Sequence, residues 1–411
     1  MNSLFDKSQT LKNLALILTG NFSAQIISLL FYPLLARIYE PTDFGLFGTY
    51  SSFIVVSAIF ASGQLHMAFI KAKDSEELSQ INWLFRFYSF FGTIVVTGIV
   101  FLIDHAFGYF PEYYILFFPV SLVAYMFFDA AKMISIREDK FKFMSQAVGL
   151  NRFTSNVLKV VSGKLLAHPV TLIFSEIAAQ SISILFMRKK LKVLSIRPSS
   201  PFSLLKKFSH FPLFATFSTF FQLGLIELPV IILAKYYSPN EIGFYVLSLK
   251  ILLNPLTVIG NSIGSVVSKK MVEDHHKNNS NQKSLIQVYG VYLVIGVVAF
   301  STVYVVPEKW LLFVLGQKWQ GFKDYLLPIT LLVTAKLSSG VHIYFYVATE
   351  EMRAKSVWKA LQLVTSLIII FKLSYLPFVQ LLWIVCTTEA ILDFCFTIYT
   401  VFETTKVKTK S

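Results

Sequence analysis

The chain has 411 residues and a formal net charge of +14, and hydrophobic residues make up 55% of it. Charged residues are only 15%, whereas a soluble domain of this size carries about 25%. The mean hydropathy of +0.62 and apolar runs near the ~20 residues that cross a bilayer exclude an ordinary soluble protein. Together they indicate an all-α polytopic membrane protein.

Apolar windows separated by charged breaks predict twelve transmembrane helices. In chain order these spans cover 11–36, 44–70, 81–103, 113–134, 145–167, 169–187, 208–234, 242–267, 285–306, 323–346, 357–376 and 378–402. The fifth span is the weakest by hydropathy. The first is too long for the apolar region of a signal peptide and lacks a clear cleavage site, so we interpret it as a retained span.

Lys and Arg residues outside the spans are concentrated in one set of loops, which includes both termini. Lys359 belongs to this set, at the boundary between the loop and span eleven. Because cytoplasmic loops carry the excess of Lys and Arg, we predict that both termini are cytoplasmic. This bias explains most of the net charge, so the sequence does not favour nucleic-acid binding.

Two stretches of the chain repeat one phrase, LARIYEPTDFGLF at 35–47 and LAKYYSPNEIGFY at 233–245. Six predicted spans separate them, so both halves cross the membrane in the same direction, as in a parallel repeat. We predict two six-helix lobes related by this repeat. The boundaries are an N-lobe at 1–187, a basic cytoplasmic linker at 188–207, a C-lobe at 208–402 and a cytoplasmic tail at 403–411.

In each copy of the phrase, a proline and a nearby carboxylate open the next helix. Proline is tolerated in the first helical turn, and Asp43 or Glu241 there interacts favourably with the helix dipole. We interpret both copies as rigid helix–turn–helix corners on the outer face. The alternative is a direct substrate role for Arg37 or Lys235.

The two phrases, extended to 35–53 and 233–251, and the segment VLGQKWQGF at 314–322 resemble a known family. This family is that of the oligosaccharide (O-antigen type) flippases. They form the polysaccharide-transporter branch of the multidrug/oligosaccharidyl-lipid/polysaccharide exporter superfamily. Leu315 stands where the family's Phe-Gly-x-x-Trp stretch has its Phe. The resemblance covers the whole chain in size, span number and cytoplasmic ends.

The resemblance implies that an undecaprenyl-pyrophosphate-linked oligosaccharide moves from the cytoplasmic to the periplasmic leaflet of a bacterial inner membrane. Two lobes would rock around a cationic central cavity. The implied partners are the lipid-linked oligosaccharide and membrane lipid, with polysaccharide polymerase and chain-length proteins as further candidates. No cofactor and no metal are expected.

Polar residues at helical spacing inside the spans indicate a wet cavity, because a charge at bilayer depth normally faces a cavity or a partner. The four candidate cavity cations are Arg152, Lys159, Lys250 and Lys336. Such cations suit a diphosphate headgroup or an acidic sugar. The candidate polar lining is Asn21, Gln25, Asn156, Asn254 and Asn261.

Each of these cations has an alternative role, which is to pair with a carboxylate on a neighbouring helix. The candidate carboxylates are Asp129, Glu176, Glu227, Glu389 and Asp393. Glu389 and Asp393 lie four residues apart on span twelve, so they share a face. They form either a site for a coupling proton or sodium ion, or an ion pair with Lys336 or another cavity cation.

Two other functions compete with the flippase. A cation-coupled multidrug exporter of the same superfamily would favour an acidic cavity, which the four cations disfavour. A membrane-embedded polysaccharide enzyme would need a larger outer loop than 307–322 or a catalytic side-chain set, and no nucleophile motif is present in the sequence. The sequence therefore favours a protein that is not an enzyme.

Overall fold

The computed structural model describes residues 25–111, 113–188, 195–276, 282–337 and 352–406, and these residues form helices and short connections. Eight of the described helices are long and apolar enough to cross a membrane. The chain is an all-α polytopic membrane protein, as the composition predicts. It forms two compact units, Met1–Lys235 and Tyr236–Ser411.

The first unit contains eight described helices. They are α1 (Gln25–Ile38), α2 (Pro41–Ser62), α3 (Ser75–Phe107), α4 (Tyr114–Arg137), α5 (Phe141–Leu165), α6 (Pro169–Arg188), the short α7 (Pro201–Lys207) and α8 (Thr216–Tyr236). A 3₁₀ segment, Leu65–Lys71, follows α2, and a π-helical turn, Phe211–Ala215, precedes α8. Helix α8 packs in this unit through Phe220, whose ring lies 5.3 Å from that of Phe60 in α2.

The second unit contains the remaining described helices. They are α9 (Pro239–His276), α10 (Gln282–Val305), α11 (Glu308–Leu315), α12 (Phe322–Lys336), α13 (Met352–Leu373) and α14 (Phe378–Lys406). The unit boundary at Lys235 lies after α8, whereas the sequence places the lobe boundary within 188–207. That lobe boundary stays a prediction.

The prediction of one continuous span over 44–70 is wrong. Helix α2 ends at Ser62, and Gly63 and Gln64 both take left-handed backbone conformations with φ of 51° and 52°. Two successive left-handed residues cannot continue a right-handed helix. The apolar residues that follow form the 3₁₀ segment instead.

Lys359 is a second correction, because it is not a loop charge. It lies within α13, and only 7% of it is exposed. The predicted boundary fails there because hydropathy assigns a lysine to water, whereas burial depends on whether a partner is available.

The two repeated phrases form the predicted corners. Helices α2 and α9 begin at the two prolines, Pro41 and Pro239. The Glu40 backbone N–H donates to the Asp43 carboxylate at 2.9 Å, and the Ser238 N–H donates to Glu241 at 3.0 Å. Each carboxylate therefore binds the backbone that precedes its own helix, as in a capping box.

A tyrosine in each phrase ties its corner to a later part of the same unit. The Tyr39 hydroxyl donates to the backbone carbonyl of Lys159 at 2.8 Å. The Tyr237 hydroxyl donates to the carbonyl of Leu376 at 2.8 Å, between α13 and α14. These equivalent bonds, in sequence-equivalent positions, are what a duplicated helical unit predicts.

The two ends of α3 identify opposite ends of the first unit. Glu77, in its first turn, forms an ion pair with Lys207 of α7. Phe107, its last residue, lies 4.0 Å below the ammonium group of Lys235. Because α3 rises about 1.5 Å per residue, its two ends, and with them Lys207 and Lys235, are separated by roughly 45 Å.

The segment 314–322 is structural. Trp319 is fully buried, and its ring lies 5.5 Å from that of Phe244 in the second repeated phrase. Gly316 and Gly321 have φ of 102° and 83°, which permits the tight connection from α11 to α12. The Gly321 N–H donates to Glu308 at 2.6 Å.

We predict that Gly163→Ala destabilises the first corner. A methyl group at Gly163 would meet the Tyr39 ring at 2.6 Å and Ile38 at 2.7 Å, so the corner has to shift. Overpacking of this kind costs about 1–3 kcal/mol. Thermal denaturation of the detergent-purified protein measures it.

Gly149→Ala is the matched control, since Gly149 lies on the same helix with nothing within 4 Å of the added methyl group. It should be neutral or stabilising, because Ala favours helix over Gly. Equal melting temperatures for the two variants would show that the corner tolerates the methyl group.

Candidate functional site

A cluster of polar residues lies between α5 and α6 in the first unit, around the carboxylate of Glu176. The Lys159 ammonium group and the Ser155 hydroxyl both donate to one oxygen of this carboxylate, each at 2.7 Å. The Arg152 guanidinium approaches the other oxygen, at 3.9 Å. Two cations therefore share one carboxylate, which leaves the cluster with one excess positive charge.

Lys159 is the most constrained member of the cluster. It is 8% exposed, and its ammonium group also lies 4.9 Å from the centroid of the Phe47 ring in α2. The spacing of four between Ser155 and Lys159 places both on one helical face. Phe47 belongs to the first repeated phrase, so that phrase contributes one wall of the cluster.

Arg152 differs from Lys159 in accessibility. Its side chain is 47% exposed, whereas that of Lys159 is 10% exposed. The Glu176 side chain is 24% exposed. Exposure therefore rises from Lys159 to Arg152, so the cluster is open to a ligand on the Arg152 side.

Neutral polar groups extend the cluster towards α1. The Asn156 amide donates to the backbone carbonyl of Arg152 at 2.8 Å and to the Ser28 hydroxyl at 3.4 Å. Gln25, on the preceding turn of α1, is half-buried. Ser28 follows Gln25 by one helical turn and belongs to the polar stripe that the sequence predicts on span one.

The other two candidate carboxylates of the first unit have separate contacts. Glu227 of α8 accepts a hydrogen bond from Ser52 of α2 at 2.6 Å. Asp129 forms an ion pair with Lys132, one turn further along α4.

A second cluster lies in the second unit, between α12, α13 and α14. The Lys336 ammonium group contacts Glu389 at 2.7 Å, and Lys359 contacts Asp393 at 3.0 Å. All four side chains are at most 10% exposed. Two cations face two carboxylates here, so this cluster is balanced in charge.

Neutral side chains complete the second cluster. Gln362 donates to Asp393 at 2.9 Å and accepts from Lys359 at 2.8 Å, and Ser366 donates to Glu389 at 2.9 Å. The second carboxylate oxygen of Asp393 is buried and accepts no hydrogen bond within the described part of the chain.

The sequence analysis missed three members of this cluster, Lys359, Gln362 and Ser366. Their positions follow the i, i+3, i+7 spacing of one helical face on span eleven. The polar stripe on α13 was therefore detectable by the same rule that identified α5.

The remaining candidates are only partly described. Lys250 lies on α9 and is half-buried. Asn21 and the side chains of Asn254 and Asn261 lie outside the described residues. The polar stripe on span eight therefore stays a prediction.

Comparison with known proteins identifies a family and a fold. Residues 34–324, more than half of the chain, match the family described as polysaccharide biosynthesis protein. No curated protein sequence matches the chain.

Several solved transporters share the fold at low sequence identity. An inward-facing multidrug resistance MATE family transporter of the MOP superfamily has a TM-score of 0.71 at 12% identity, covering 96% of each chain. The lipid II flippase MurJ, in an inward closed conformation, has a TM-score of 0.71 at 13% identity, covering 96% of this chain and 90% of MurJ.

A third structure is a MOP superfamily transporter from Pyrococcus furiosus, whose binding pocket is described as reversed in polarity. Its TM-score is 0.62 at 12% identity, covering 99% of this chain and 100% of that one. The chain therefore has the helical fold of MOP superfamily transporters.

We predict that Glu389→Gln is strongly destabilising, because it leaves the Lys336 charge buried opposite a neutral amide. Breaking one side of a buried ion pair costs about 3–5 kcal/mol. The double change Lys336→Met with Glu389→Leu should recover most of this loss, since it removes both charges. Thermal denaturation in detergent measures both.

The control is Glu138→Gln, which breaks the pair with Lys140, in which the two side chains are 24% and 37% exposed. Exposed pairs contribute about 0–1 kcal/mol, so this variant should melt close to the unmodified protein. A Glu389→Gln protein that melts like the control would show that the second cluster is hydrated rather than buried.

Proposed function

Because the chain belongs to the polysaccharide biosynthesis protein family, we propose that it is a flippase for a lipid-linked oligosaccharide. The substrate would be an undecaprenyl-pyrophosphate-linked repeat unit of O-antigen or another surface polysaccharide. It would move from the cytoplasmic to the periplasmic leaflet of a bacterial inner membrane by alternating access. In this proposal both termini are cytoplasmic.

The excess positive charge of the first cluster carries the proposal. Arg152 and Lys159 share Glu176, so one positive charge is uncompensated within that cluster. A diphosphate in the cleft would supply the missing negative charge through charge-assisted hydrogen bonds. The planar guanidinium group suits two phosphate oxygens at once.

The contacts of Lys159 and Arg152 give these two cations different roles. Lys159 is held by Glu176 and Phe47, so it fixes the carboxylate and the local charge. Arg152 is half-exposed and 3.9 Å from its carboxylate, so it has room to turn towards a headgroup. We therefore assign the first contact with the diphosphate to Arg152.

Hydroxyl and amide groups beside the cations suit the sugars that follow the diphosphate. Asn156 and Ser28 lie within hydrogen-bonding distance of one another and offer both donors and acceptors. Gln25 is a further candidate for this role, and Lys250 of the second unit stays a predicted cavity cation.

The second cluster is less suited than the first to bind an anionic ligand. Its four charges cancel in two pairs, so an anionic ligand would have to displace Glu389 from Lys336 or Asp393 from Lys359. Lys336 is therefore a weaker candidate than Arg152 for a headgroup contact.

The transport of organic cations is also disfavoured. A cationic drug would meet the excess positive charge of the first cluster.

Deletion of the gene tests the function. We expect lipid-linked oligosaccharide to accumulate in the inner leaflet and surface polysaccharide to disappear, because synthesis continues while export stops. Extraction of the lipid-linked pool and analysis of surface glycan measure both. Normal surface polysaccharide in the deletion strain would sink the proposal.

Arg152→Gln tests the headgroup contact. We predict that export falls by about tenfold or more, since a charge-assisted contact to phosphate is worth about 1.5–3 kcal/mol. The Lys159–Glu176 pair stays intact in this variant, so protein abundance in the membrane should not change. Recovery of surface polysaccharide in the deletion strain measures export.

Lys164→Gln is the matched control, because Lys164 is an exposed cation on the same helix, outside the cluster. It should export normally. If both variants export equally well, Arg152 does not contact the substrate. If Arg152→Gln reduces abundance in proportion to export, its role is structural.

A further inference from the structure

An apolar groove of about 920 Å³ lies on the first unit, between α2, α3, α7 and α8. This volume is near the upper end of the 300–1,000 Å³ that ligand sites typically occupy. Its walls are almost wholly aliphatic and aromatic, with hydroxyls from Ser57 and Tyr88. None of the sequence candidates lines it.

Helix α3 supplies the longest wall of the groove. One row of its side chains, spaced four residues apart, runs along the groove and consists of Trp83, Phe87, Phe91, Val95, Ile99 and Ile103. Only 11% of the apolar part of α3 is buried, against 72% for α2. The row therefore faces outward, and a ligand from the membrane can reach it.

Gly92 forms the floor of the groove. A methyl group there would lie 2.3 Å from the backbone oxygen of Ala61, so α2 and α3 are in direct backbone contact at this point. Gly92 and its bulky neighbours Phe91 and Val95 all line the groove.

The length of the groove indicates how long a hydrocarbon chain it can hold. From Trp83 to Ile103 the helix rises about 30 Å, which is the whole hydrocarbon thickness of a bilayer. An ordinary acyl chain reaches only about half of that thickness, because it belongs to one leaflet. A single chain that fills the groove must be longer, as a polyisoprenoid chain is.

The positive charge at one end of the groove favours an anionic headgroup there. Pro201, Phe202 and Leu205 of α7 line that end, and Lys206 and Lys207 extend from the same short helix. The Arg197 guanidinium lies 6.0 Å from the centroid of the Trp83 ring. A basic, aromatic rim at the end of an apolar channel suits an anionic headgroup at the membrane surface.

The groove lies beside the polar contact between Glu227 and Ser52. Helix α8 contributes Leu228 to the groove, and the adjacent Glu227 bonds to Ser52 of α2. Helix α2 contributes Phe53 to the groove, next to the same Ser52. A lipid held in the groove would thus lie against the two helices that carry this polar contact.

We propose that this groove is the loading site for the polyisoprenoid chain of the substrate, with its diphosphate at Arg197 and Lys206. The assignment rests on the proposed flippase function, whose substrate carries such a chain. It adds a site outside the cation cluster at which the lipid is held before its headgroup enters.

Binding of undecaprenyl phosphate to the detergent-purified full-length protein tests the groove, with native mass spectrometry as the readout. Val95→Trp and Ile99→Trp each place an indole in the channel, so bound undecaprenyl phosphate should fall about tenfold. Phosphatidylglycerol is the competing probe, and it should displace undecaprenyl phosphate poorly because its chains are shorter.

Ile94→Trp and Leu102→Trp are the matched controls. Both residues lie on α3, are 56% and 65% exposed and do not line the groove. They should bind undecaprenyl phosphate as the unmodified protein does. Equal binding by all four variants, or equal competition by phosphatidylglycerol, would overturn the groove assignment.

The two proposals fail separately. If the groove variants lose undecaprenyl phosphate but the deletion strain keeps normal surface polysaccharide, the groove stands and the flippase function falls. If the deletion strain accumulates lipid-linked oligosaccharide but the groove variants bind and export normally, the flippase stands and the groove assignment falls.

Discussion

A charge placed at bilayer depth has to meet an opposite charge, a hydrogen-bonding partner or water, and both polar clusters of this protein follow from that constraint. Glu176 of α6 is the opposite charge for both Arg152 and Lys159 of α5, and this pairing fixes how α5 packs against α6. The same requirement joins α12 and α13 to α14 through Lys336 and Lys359. Apolar contacts hold the rest of each unit, but they do not specify which helical face turns inward.

The internal repeat separates what the two units share from what they do not. Tyr39 and Tyr237 make equivalent hydrogen bonds, and both following helices begin with a proline and a capping carboxylate. The charges have diverged: the first cluster has an uncompensated cation, and the second is balanced. A common scaffold with one cationic side suits an anionic cargo better than it suits an organic cation.

An amphiphilic substrate needs a polar and an apolar environment close together. Helices α2 and α8 border one of each. Ser52 and Glu227 lie on their polar sides, while Phe53 and Leu228 line the apolar groove. The proposed substrate has a diphosphate with sugars at one end and a long hydrocarbon at the other. A helix pair with one polar and one apolar side can guide such a molecule without burying its headgroup in lipid or its tail in water.

Rules that act over a few residues made much of this visible in the sequence: the helical class, the corners at Pro41 and Pro239, and the polar face of α5 with Arg152, Asn156 and Lys159. An ion pair of Glu389 or Asp393 with Lys336 was one of two alternatives, and the sequence did not decide between them, because Lys336 and Glu389 are 53 residues apart and Lys359 and Asp393 are 34 apart. Hydropathy therefore placed Lys359 in a loop, although its distant partner allows it to be buried. The groove was hidden for the same reason, since three long helices and the short α7 meet to form it only after folding. Local spacing determined which residues share a face, and only packing between distant helices decided what each face contacts.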